Sequence, residues 1–137
     1  YGEDIPHSGI VKRNNRLIIS YVSQNTSDLD GNLSEYADKH RIEESLFKSL
    51  LRKLDFSREQ FEKNIEDFSG GQKKKVLLAK SLCERAHLYI WDEPLNFIDV
   101  ISRMQIEKLL IEHEPTILFV EHDSTFCENV ATKTIQL

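Results

Sequence analysis

The chain has 137 residues with a net charge of -5; 30% of them are charged and 39% are hydrophobic. This size fits one domain with a buried core, and the composition is ordinary for a soluble globular protein. The acidic balance argues against general nucleic-acid binding by this chain alone, although another part of a larger protein could contact RNA. The sequence has no apolar run of membrane-span length and no signal-peptide pattern. Cys83 and Cys127 form no CxxC motif, so we expect reduced core thiols and a cytoplasmic location.

The first predicted element is a buried strand at 17–22, a β-branched and aromatic run. A polar loop follows, and Ser34 suits the N-cap of the next segment. That segment has apolar residues at helical spacing, namely Ile42, Leu46, Phe47, Leu50, Leu51 and Leu54. A second helical segment is predicted at about 58–65. Residues 31–67 therefore form a helical block with no strand signal.

After residue 72 the pattern alternates between helices and strands. The predicted elements are a helix at 73–84, a strand at 87–91, a helix at 100–112, a strand at 116–120, a helix at 123–130 and a strand at 134–137. The strands are continuously apolar, as expected where both faces are covered. This alternation predicts the α/β class, with a parallel sheet covered by helices.

A polar pentapeptide with paired glycines, Phe68-Ser69-Gly70-Gly71-Gln72, leads into the predicted helix at 73–84. Gly70 and Gly71 lack a Cβ, so the backbone can approach a ligand closely. Free N–H groups at a helix start favour an anion, and Ser69 adds a hydroxyl donor. Alone, the pentapeptide is equally well explained as a turn before a helix.

Asp92 and Glu93 follow the predicted strand at 87–91, at the carboxyl end where open parallel sheets bind ligands. The first carboxylate could hold Mg²⁺, directly or through water, and the second could activate a water molecule as a general base. His122 follows the strand at 116–120 in the same way, and neighbouring strands would bring it near Glu93. Each of these residues alone is also explained as a solvated loop residue.

Gln24 follows the strand at 17–22 in the equivalent position, where its side-chain carbonyl could meet the metal or the water. A lone glutamine after a strand is usually only a solvated loop residue. Each signal is weak singly, but all four lie at expected strand ends or at a helix start. In the order Gln24, Ser69 to Gln72, Asp92-Glu93 and His122, they indicate an ATP site.

This order resembles the ATP-binding cassette (ABC) ATPase domain over essentially the whole chain. Tyr21 to Gln24 is similar to the Q-loop, Phe68 to Gln72 to the signature motif, and Leu88 to Glu93 to the Walker B strand with its catalytic glutamate. Leu95 to Asp99 resembles the D-loop, and His122 resembles the switch histidine. The resemblance implies a three-layer, parallel-sheet P-loop NTPase-like core with an inserted α-helical subdomain, and ATP and Mg²⁺ as cofactors.

The resemblance also implies a role for each matched residue. Gln24 would contact Mg²⁺ and water, Asp92 would support Mg²⁺, Glu93 would be the base, and His122 would sense the γ-phosphate. Asp99 would communicate across a cassette dimer. The residues that would face nucleotide bound mainly by the opposite cassette are Ser69, Gly70, Gly71 and Gln72. The next three residues, Lys73 to Lys75, are expected to form a solvated first helical turn.

Finer features resemble the ABC-F branch, which has no membrane domains and acts on ribosomes. Asn96 stands where transporter cassettes usually have Ser or Thr, and the ending His122-Asp123-x-x-Phe126 is also similar to that branch. The overall pattern most resembles the second cassette of Gram-positive antibiotic-resistance proteins, which protect ribosomes from lincosamides, streptogramin A and pleuromutilins. The alternatives are a nucleotide-binding subunit of a transporter and a non-catalytic cassette that supplies only its signature face.

The chain contains no G-x-x-x-x-G-K-[ST] segment, so it lacks the phosphate cradle and its lysine. In the resembled fold these precede the position of Tyr1. We therefore expect the carboxyl-terminal portion of one cassette, with a strand and Q-loop at 1–30, a helical subdomain at 31–67 and the remaining motifs at 68–137. A naturally degenerate ATPase is the alternative.

The same absence leads to expectations about activity and partners. The isolated chain is not expected to hydrolyse ATP at a useful rate, because most β- and γ-phosphate contacts would be missing. The expected partners are a second ABC cassette, within a tandem protein, and the ribosome. Missing strands would leave sheet edges and apolar surface uncovered, so the chain alone could form a homo-oligomer.

Overall fold

A three-stranded parallel sheet and a small helical block make up the computed structural model, which describes residues 5–137. The first four residues of the predicted segment 1–30 lie outside the described residues. The elements in chain order are β1 (Ile19–Val22), α1 (Leu33–Lys39), α2 (Glu44–Lys53), two 3₁₀ turns (Arg58–Glu62 and Ile65–Asp67), α3 (Gly70–Cys83), β2 (Leu88–Asp92), α4 (Val100–His113), β3 (Ile117–Val120) and α5 (Ser124–Val130).

The sheet has the order β1-β2-β3, and both pairs of neighbouring strands are parallel. Val22 pairs with Trp91, and Asp92 pairs with Val120, so the three strands end at nearly the same level. The predicted α/β class with a parallel sheet is confirmed. Within residues 5–137 no helix is long and apolar enough to cross a membrane; α3 and α4 have 14 residues each.

One face of the sheet packs against α3 and α5. The indole Nε1 of Trp91 donates to the hydroxyl of Ser81 on α3 at 2.9 Å, and the Phe119 and Phe126 rings meet edge to face. On β3, Leu118 and Val120 point to the opposite face and remain 61% and 52% exposed. The prediction that the strand at 116–120 is buried is therefore wrong, because the described helices cover only one of its faces.

The N-cap of helix α1 lies two residues earlier in the chain than the predicted cap, Ser34. Asn32 is the N-cap: its side chain accepts from the N–H of Glu35 at 2.9 Å, and the Glu35 carboxylate accepts from the N–H of Asn32 at 3.2 Å. This capping box satisfies two backbone donors at once. Ser34, the predicted cap, instead lies inside the helix and donates to Glu44 at 2.6 Å.

The helical block uses the predicted apolar stripe as its core. Phe47 and Leu51 of α2 are fully buried, and the ring of Tyr36 stacks on Phe47. The N–H of Ile65 donates to the carbonyl of Gly31 at 2.9 Å, which ties the end of the block to its start. No strand occurs between residues 31 and 67. The predicted second helix is present as two short 3₁₀ turns.

The structure differs from the sequence prediction at the start of α3 and at the last four residues of the chain. Helix α3 starts at Gly70 rather than at residue 73. The predicted strand at 134–137 is wrong: these residues have no regular structure, and Ile135 is 75% exposed. A strand needs a neighbour to accept its hydrogen bonds, and no described strand lies beside this segment.

Both cysteines are free and half-buried. Burial raises the pKa of the Cys83 thiol to about 11, and the carboxylates of Glu43 and Glu84 add to the effect. A thiol with so high a pKa is protonated at neutral pH and is a poor nucleophile. The Cys83 side chain therefore behaves as a small residue packed against the core.

Candidate active site

Four of the residues predicted to act on ATP lie in two contacting pairs at the carboxyl edge of the sheet. Gln24, two residues after β1, donates from Nε2 to Oδ1 of Asp92 at 3.0 Å. His122, two residues after β3, places its Nε2 atom 3.3 Å from Oε1 of Glu93. The shared strand register brings these loops together, as the sequence analysis expected. The edge thus combines an amide, two carboxylates and an imidazole.

Glu93 has an unusual backbone conformation. Its N–H donates to the carbonyl of Val120 at 2.9 Å, so the parallel ladder extends one residue beyond β2. Its φ of 46° lies in the left-handed region, which costs a non-glycine residue roughly 1–3 kcal/mol. Strain of this kind clusters at functional sites, where the surrounding structure holds it.

Asp92 and Gln24 offer oxygen ligands suited to Mg²⁺. In the described part of the chain no group of three or more His, Cys, Asp or Glu side chains could hold a metal by itself. Mg²⁺ keeps several waters and is usually bound by one or two carboxylates together with substrate phosphates. A single carboxylate beside an amide therefore fits a metal ion that arrives with the nucleotide.

The signature-like segment forms the N-terminal cap of α3. The Ser69 hydroxyl accepts from the N–H of Gln72 at 3.2 Å, and the Gln72 side chain accepts from the N–H of Ser69 at 3.0 Å. This capping box does not use the hydroxyl proton of Ser69, which can still be donated to an anion. Ser69 and Gly70 are exposed at the helix start, where backbone N–H groups favour negative charge.

The two glycines of this segment have different surroundings. A Cβ added to Gly71 would lie 2.4 Å from the main-chain oxygen of Phe97, whereas one added to Gly70 would meet only the Phe97 ring at 3.9 Å. The sequence predicted that both glycines permit close approach of a ligand. In the structure, position 71 requires a glycine because any Cβ there would clash with the main chain of the loop after β2 in the same chain.

The expectation of a solvated turn at Lys73 to Lys75 is wrong for two of the three lysines. Lys74 is 2% exposed and Lys75 is 7% exposed, because α3 packs its first turns against the strand ends. Lys74 donates to main-chain oxygens, and Lys75 forms a 2.6 Å ion pair with Asp99. Lys73 is half-exposed.

Asp99 is the N-cap of α4. Its carboxylate accepts from the N–H and the hydroxyl of Ser102, at 2.8 and 2.9 Å, as well as from Lys75. Burial raises the pKa of Asp99, but the hydrogen bonds from Lys75 and Ser102 outweigh it and lower the pKa to about 2. The carboxylate proposed to act across a dimer is therefore firmly held within its own chain.

Replacing Asp99 with alanine is expected to lower the free energy of unfolding by about 1–2 kcal/mol, because it removes the helix cap. It also leaves Lys75 buried without its carboxylate, which adds to the loss. Denaturant unfolding at pH 7 and pH 3 measures the effect. The folded-state pKa lies below the unfolded value, so the contribution is present above about pH 4 and fades as the pH falls towards 2.

The control for this variant is Asp38→Ala, which changes an exposed aspartate and should leave stability within about 0.5 kcal/mol. An Asp99→Ala cost that is no smaller at pH 3 than at pH 7 would contradict the assigned role of the ionised carboxylate.

Glu121 is a site residue that the sequence analysis missed. One of its oxygens accepts from the N–H of Leu95 at 3.1 Å, and the other accepts from the N–H groups of His122 and Asp123 at 2.8 and 3.3 Å. The carboxylate therefore joins the loop after Glu93 to the loop that carries His122. The sequence carries a signal for it, since Glu121 directly follows β3 as Glu93 directly follows β2.

Comparison with protein families decides the affiliation of the chain. A family described as "ABC transporter" matches residues 2–96, which is more than half of the chain. The chain belongs to this family. The matched stretch contains the Gln24, Ser69 to Gln72 and Asp92-Glu93 segments, whereas the site residues Asp99, Glu121 and His122 lie after it.

Curated relatives resemble this ABC cassette along most of its length. The ATP-binding protein YdiF of Bacillus subtilis is 30% identical over 96% of the chain and 21% of the relative. The ATP-binding protein Uup of Haemophilus influenzae is 34% identical over 96% of the chain and 22% of the relative. YheS of Escherichia coli is 37% identical over 65% of the chain and 14% of the relative. The chain thus spans less than a quarter of these proteins.

Solved structures share the fold. An archaeal ribosome recycling factor, aABCE1, in complex with the ribosomal stalk protein aP1, matches with a TM-score of 0.73 and 26% identity. The match covers 93% of this cassette and 26% of that chain. A dimeric ATP-binding cassette bound to ADP and Pi has a TM-score of 0.64 at 18% identity, over 84% of this chain and 56% of that one. The second match concerns the fold alone.

Proposed function

We propose that this ABC cassette is part of an ATP-hydrolysing protein in which the edge of the sheet carries out the chemistry. The observation that carries the proposal is the pairing of Gln24 with Asp92 and of Glu93 with His122, at 3.0 and 3.3 Å. Phosphoryl transfer to water uses a carboxylate that holds the metal ion and a base that activates the water. Asp92 and Glu93 are suited to these two roles, and the imidazole of His122 lies beside Glu93.

In the proposed reaction, a water oxygen attacks the γ-phosphorus and passes a proton to the Glu93 carboxylate. The bond from the γ-phosphorus to the β–γ bridging oxygen breaks, and ADP and phosphate are the products. His122 orients Glu93 and contacts the γ-phosphate. Mg²⁺, held by Asp92 and Gln24, would supply positive charge to the phosphates.

The signature segment serves a second nucleotide in this proposal. Ser69, Gly70, Gly71 and Gln72 would contact nucleotide held mainly by a second cassette, and Asp99 would act at the junction of the two. The exposed start of α3, with its available hydroxyl proton and N–H groups, supports this role. The phosphate cradle would come from another segment, because this chain carries none.

Mg²⁺-dependent ATP turnover by the full-length protein tests the proposal. We expect turnover that is lost when Mg²⁺ is chelated, because the phosphate charge is then unshielded. The isolated 137-residue chain, as the control, should show no turnover above background. Absence of Mg²⁺-dependent turnover in the full-length protein would contradict the proposal.

We further infer an ABC-F protein that acts on the ribosome from the cytoplasm. Support comes from Asn96, which differs from the transporter pattern, and from the similarity to aABCE1, itself a ribosome recycling factor. The finer form of the proposal is the second cassette of an antibiotic-resistance protein that protects ribosomes. A transporter subunit is the alternative, and the family description does not separate the two.

Fractionation of cells that produce the full-length protein distinguishes these alternatives. We expect it to sediment with ribosomes when ATP hydrolysis is blocked, whereas a transporter subunit would follow the membrane fraction. Growth of these cells with lincosamide, streptogramin A or pleuromutilin tests whether the full-length protein is an antibiotic-resistance protein. Unchanged susceptibility would remove the resistance role and leave ribosome binding intact.

A further inference from the structure

Lys74 is a buried cation that the proposed reaction does not use. It lies in the first turns of α3 and is 2% exposed. Its Nζ donates to two main-chain oxygens, that of Ser23 at 2.9 Å and that of Asp92 at 3.2 Å. One ammonium group therefore joins three elements: α3, the end of β1 and the end of β2.

The two acceptors lie beside the proposed ligands of Mg²⁺. Ser23 directly precedes Gln24, and Asp92 carries the carboxylate to which Gln24 donates. A bond to each main-chain oxygen fixes the backbone from which each side chain extends. The two segments that carry Gln24 and Asp92 are thus joined twice, by the exposed hydrogen bond between these side chains and by the buried ammonium group of Lys74.

The charge of Lys74 also suits this place. Burial lowers the pKa of Lys74, and the carboxylates of Asp92, Glu93 and Glu121 act in the opposite direction. A buried charge without compensation is strongly destabilising, so a lysine persists at such a position only with acceptors and opposite charge around it. An apolar side chain would fill the space but would donate a hydrogen bond to neither carbonyl oxygen.

The position of Lys74 along α3 connects it to the signature segment. Lys74 lies five positions after Ser69, which corresponds to about 7.5 Å along the helix axis. A shift at the start of α3 therefore moves the ammonium group, and with it the backbone at Ser23 and Asp92. The contact of Gly71 with Phe97 ties the same helix start to the loop after β2.

We propose that Lys74 is a positioning residue that holds Gln24 and Asp92 in register with the signature segment. This inference rests on the proposed function, in which the two groups of residues face different nucleotides. Through Lys74, contact of nucleotide with Ser69 and Gly71 would change the placement of Gln24 and Asp92, and hence the rate at the other nucleotide.

Steady-state ATP hydrolysis by the full-length protein with Lys74→Met tests the inference. Methionine keeps the length and the burial but donates no hydrogen bond. We expect kcat to fall about 10- to 100-fold from misplaced groups, while KM for ATP stays within about twofold. Lys74→Arg should recover kcat to within about threefold, since a guanidinium can donate to both oxygens. Lys73→Met, the same change at the neighbouring half-exposed lysine, should behave like the wild type.

The outcomes separate this inference from the proposed function. If Glu93→Gln abolishes turnover while Lys74→Met keeps kcat within about twofold, the inference alone is overturned. An equal loss in Lys73→Met, or a rise in KM with unchanged kcat, also overturns it. If Glu93→Gln turns over normally, both fail. Should Lys74→Met not fold, Lys74→Gln decides: its neutral amide should lower kcat, and a wild-type kcat would refute the role.

Discussion

Glu93→Gln is expected to reduce ATP hydrolysis by the full-length protein about 10²- to 10⁴-fold, the usual contribution of a general base. Glutamine has the same shape, and the backbone bond from residue 93 to Val120 does not involve the side chain. The amide, however, cannot accept a proton from the attacking water. The loss should therefore appear in kcat, with ATP binding retained.

Single-turnover hydrolysis and nucleotide binding, measured on the same preparation, separate these two effects. Glu128→Gln is the matched control: it makes the same chemical change at an exposed glutamate of α5 and should leave the rate unchanged. Equal rates for Glu93→Gln and the wild type would favour the non-catalytic alternative, in which the cassette supplies only its signature face.

Gly71→Ala is expected to have the largest effect on stability among single-methyl changes at the site. The new Cβ would lie 2.4 Å from a main-chain oxygen, and a backbone atom cannot rotate away as a side chain can. Either α3 or the loop carrying Phe97 must move, and overpacking of this kind costs roughly 1–3 kcal/mol. Thermal or denaturant unfolding measures the loss.

Two variants test the cause of that loss. Gly70→Ala adds the same methyl group where the nearest atom is 3.9 Å away, and alanine is better than glycine within a helix by roughly 0.5–1 kcal/mol. It should therefore stabilise or leave stability unchanged. Phe97→Ala combined with Gly71→Ala should not restore stability, because the obstructing atom belongs to the main chain. If the double variant regained stability, the steric clash would be with the Phe97 side chain instead.

The sequence was most informative where a local pattern decides the outcome. The strands β1, β2 and β3 and the helices α3, α4 and α5 were all predicted, because apolar runs and helical spacing are properties of neighbouring residues. Placing His122 near Glu93, and Gln24 at the equivalent position after its own strand, needed only one further rule, that parallel strands end at a shared edge. The same rule places Glu121 at this edge, because it directly follows β3.

Most of the wrong predictions share a physical cause: the outcome depends on partners distant in the chain. Lys74 is buried because of acceptors that lie 51 and 18 residues away, and no local pattern contains them. Leu118 lies in an apolar run that is typical of a buried strand, and its exposure depends on which face of the sheet the helices cover. The cap of α1 is a different case, since Asn32 and Glu35 have the capping-box spacing, which is a local pattern.

The in-register ends of the three strands restrict how this chain can change in length during evolution. Side chains alternate between the two faces of a strand, so one inserted residue within β2 would turn Trp91 away from Ser81. The same insertion would carry Asp92 and Glu93 past Gln24 and His122. We therefore expect insertions and deletions in the helical block and in the loops away from the carboxyl ends of the strands, where surface segments accommodate extra residues without disturbing the chemistry.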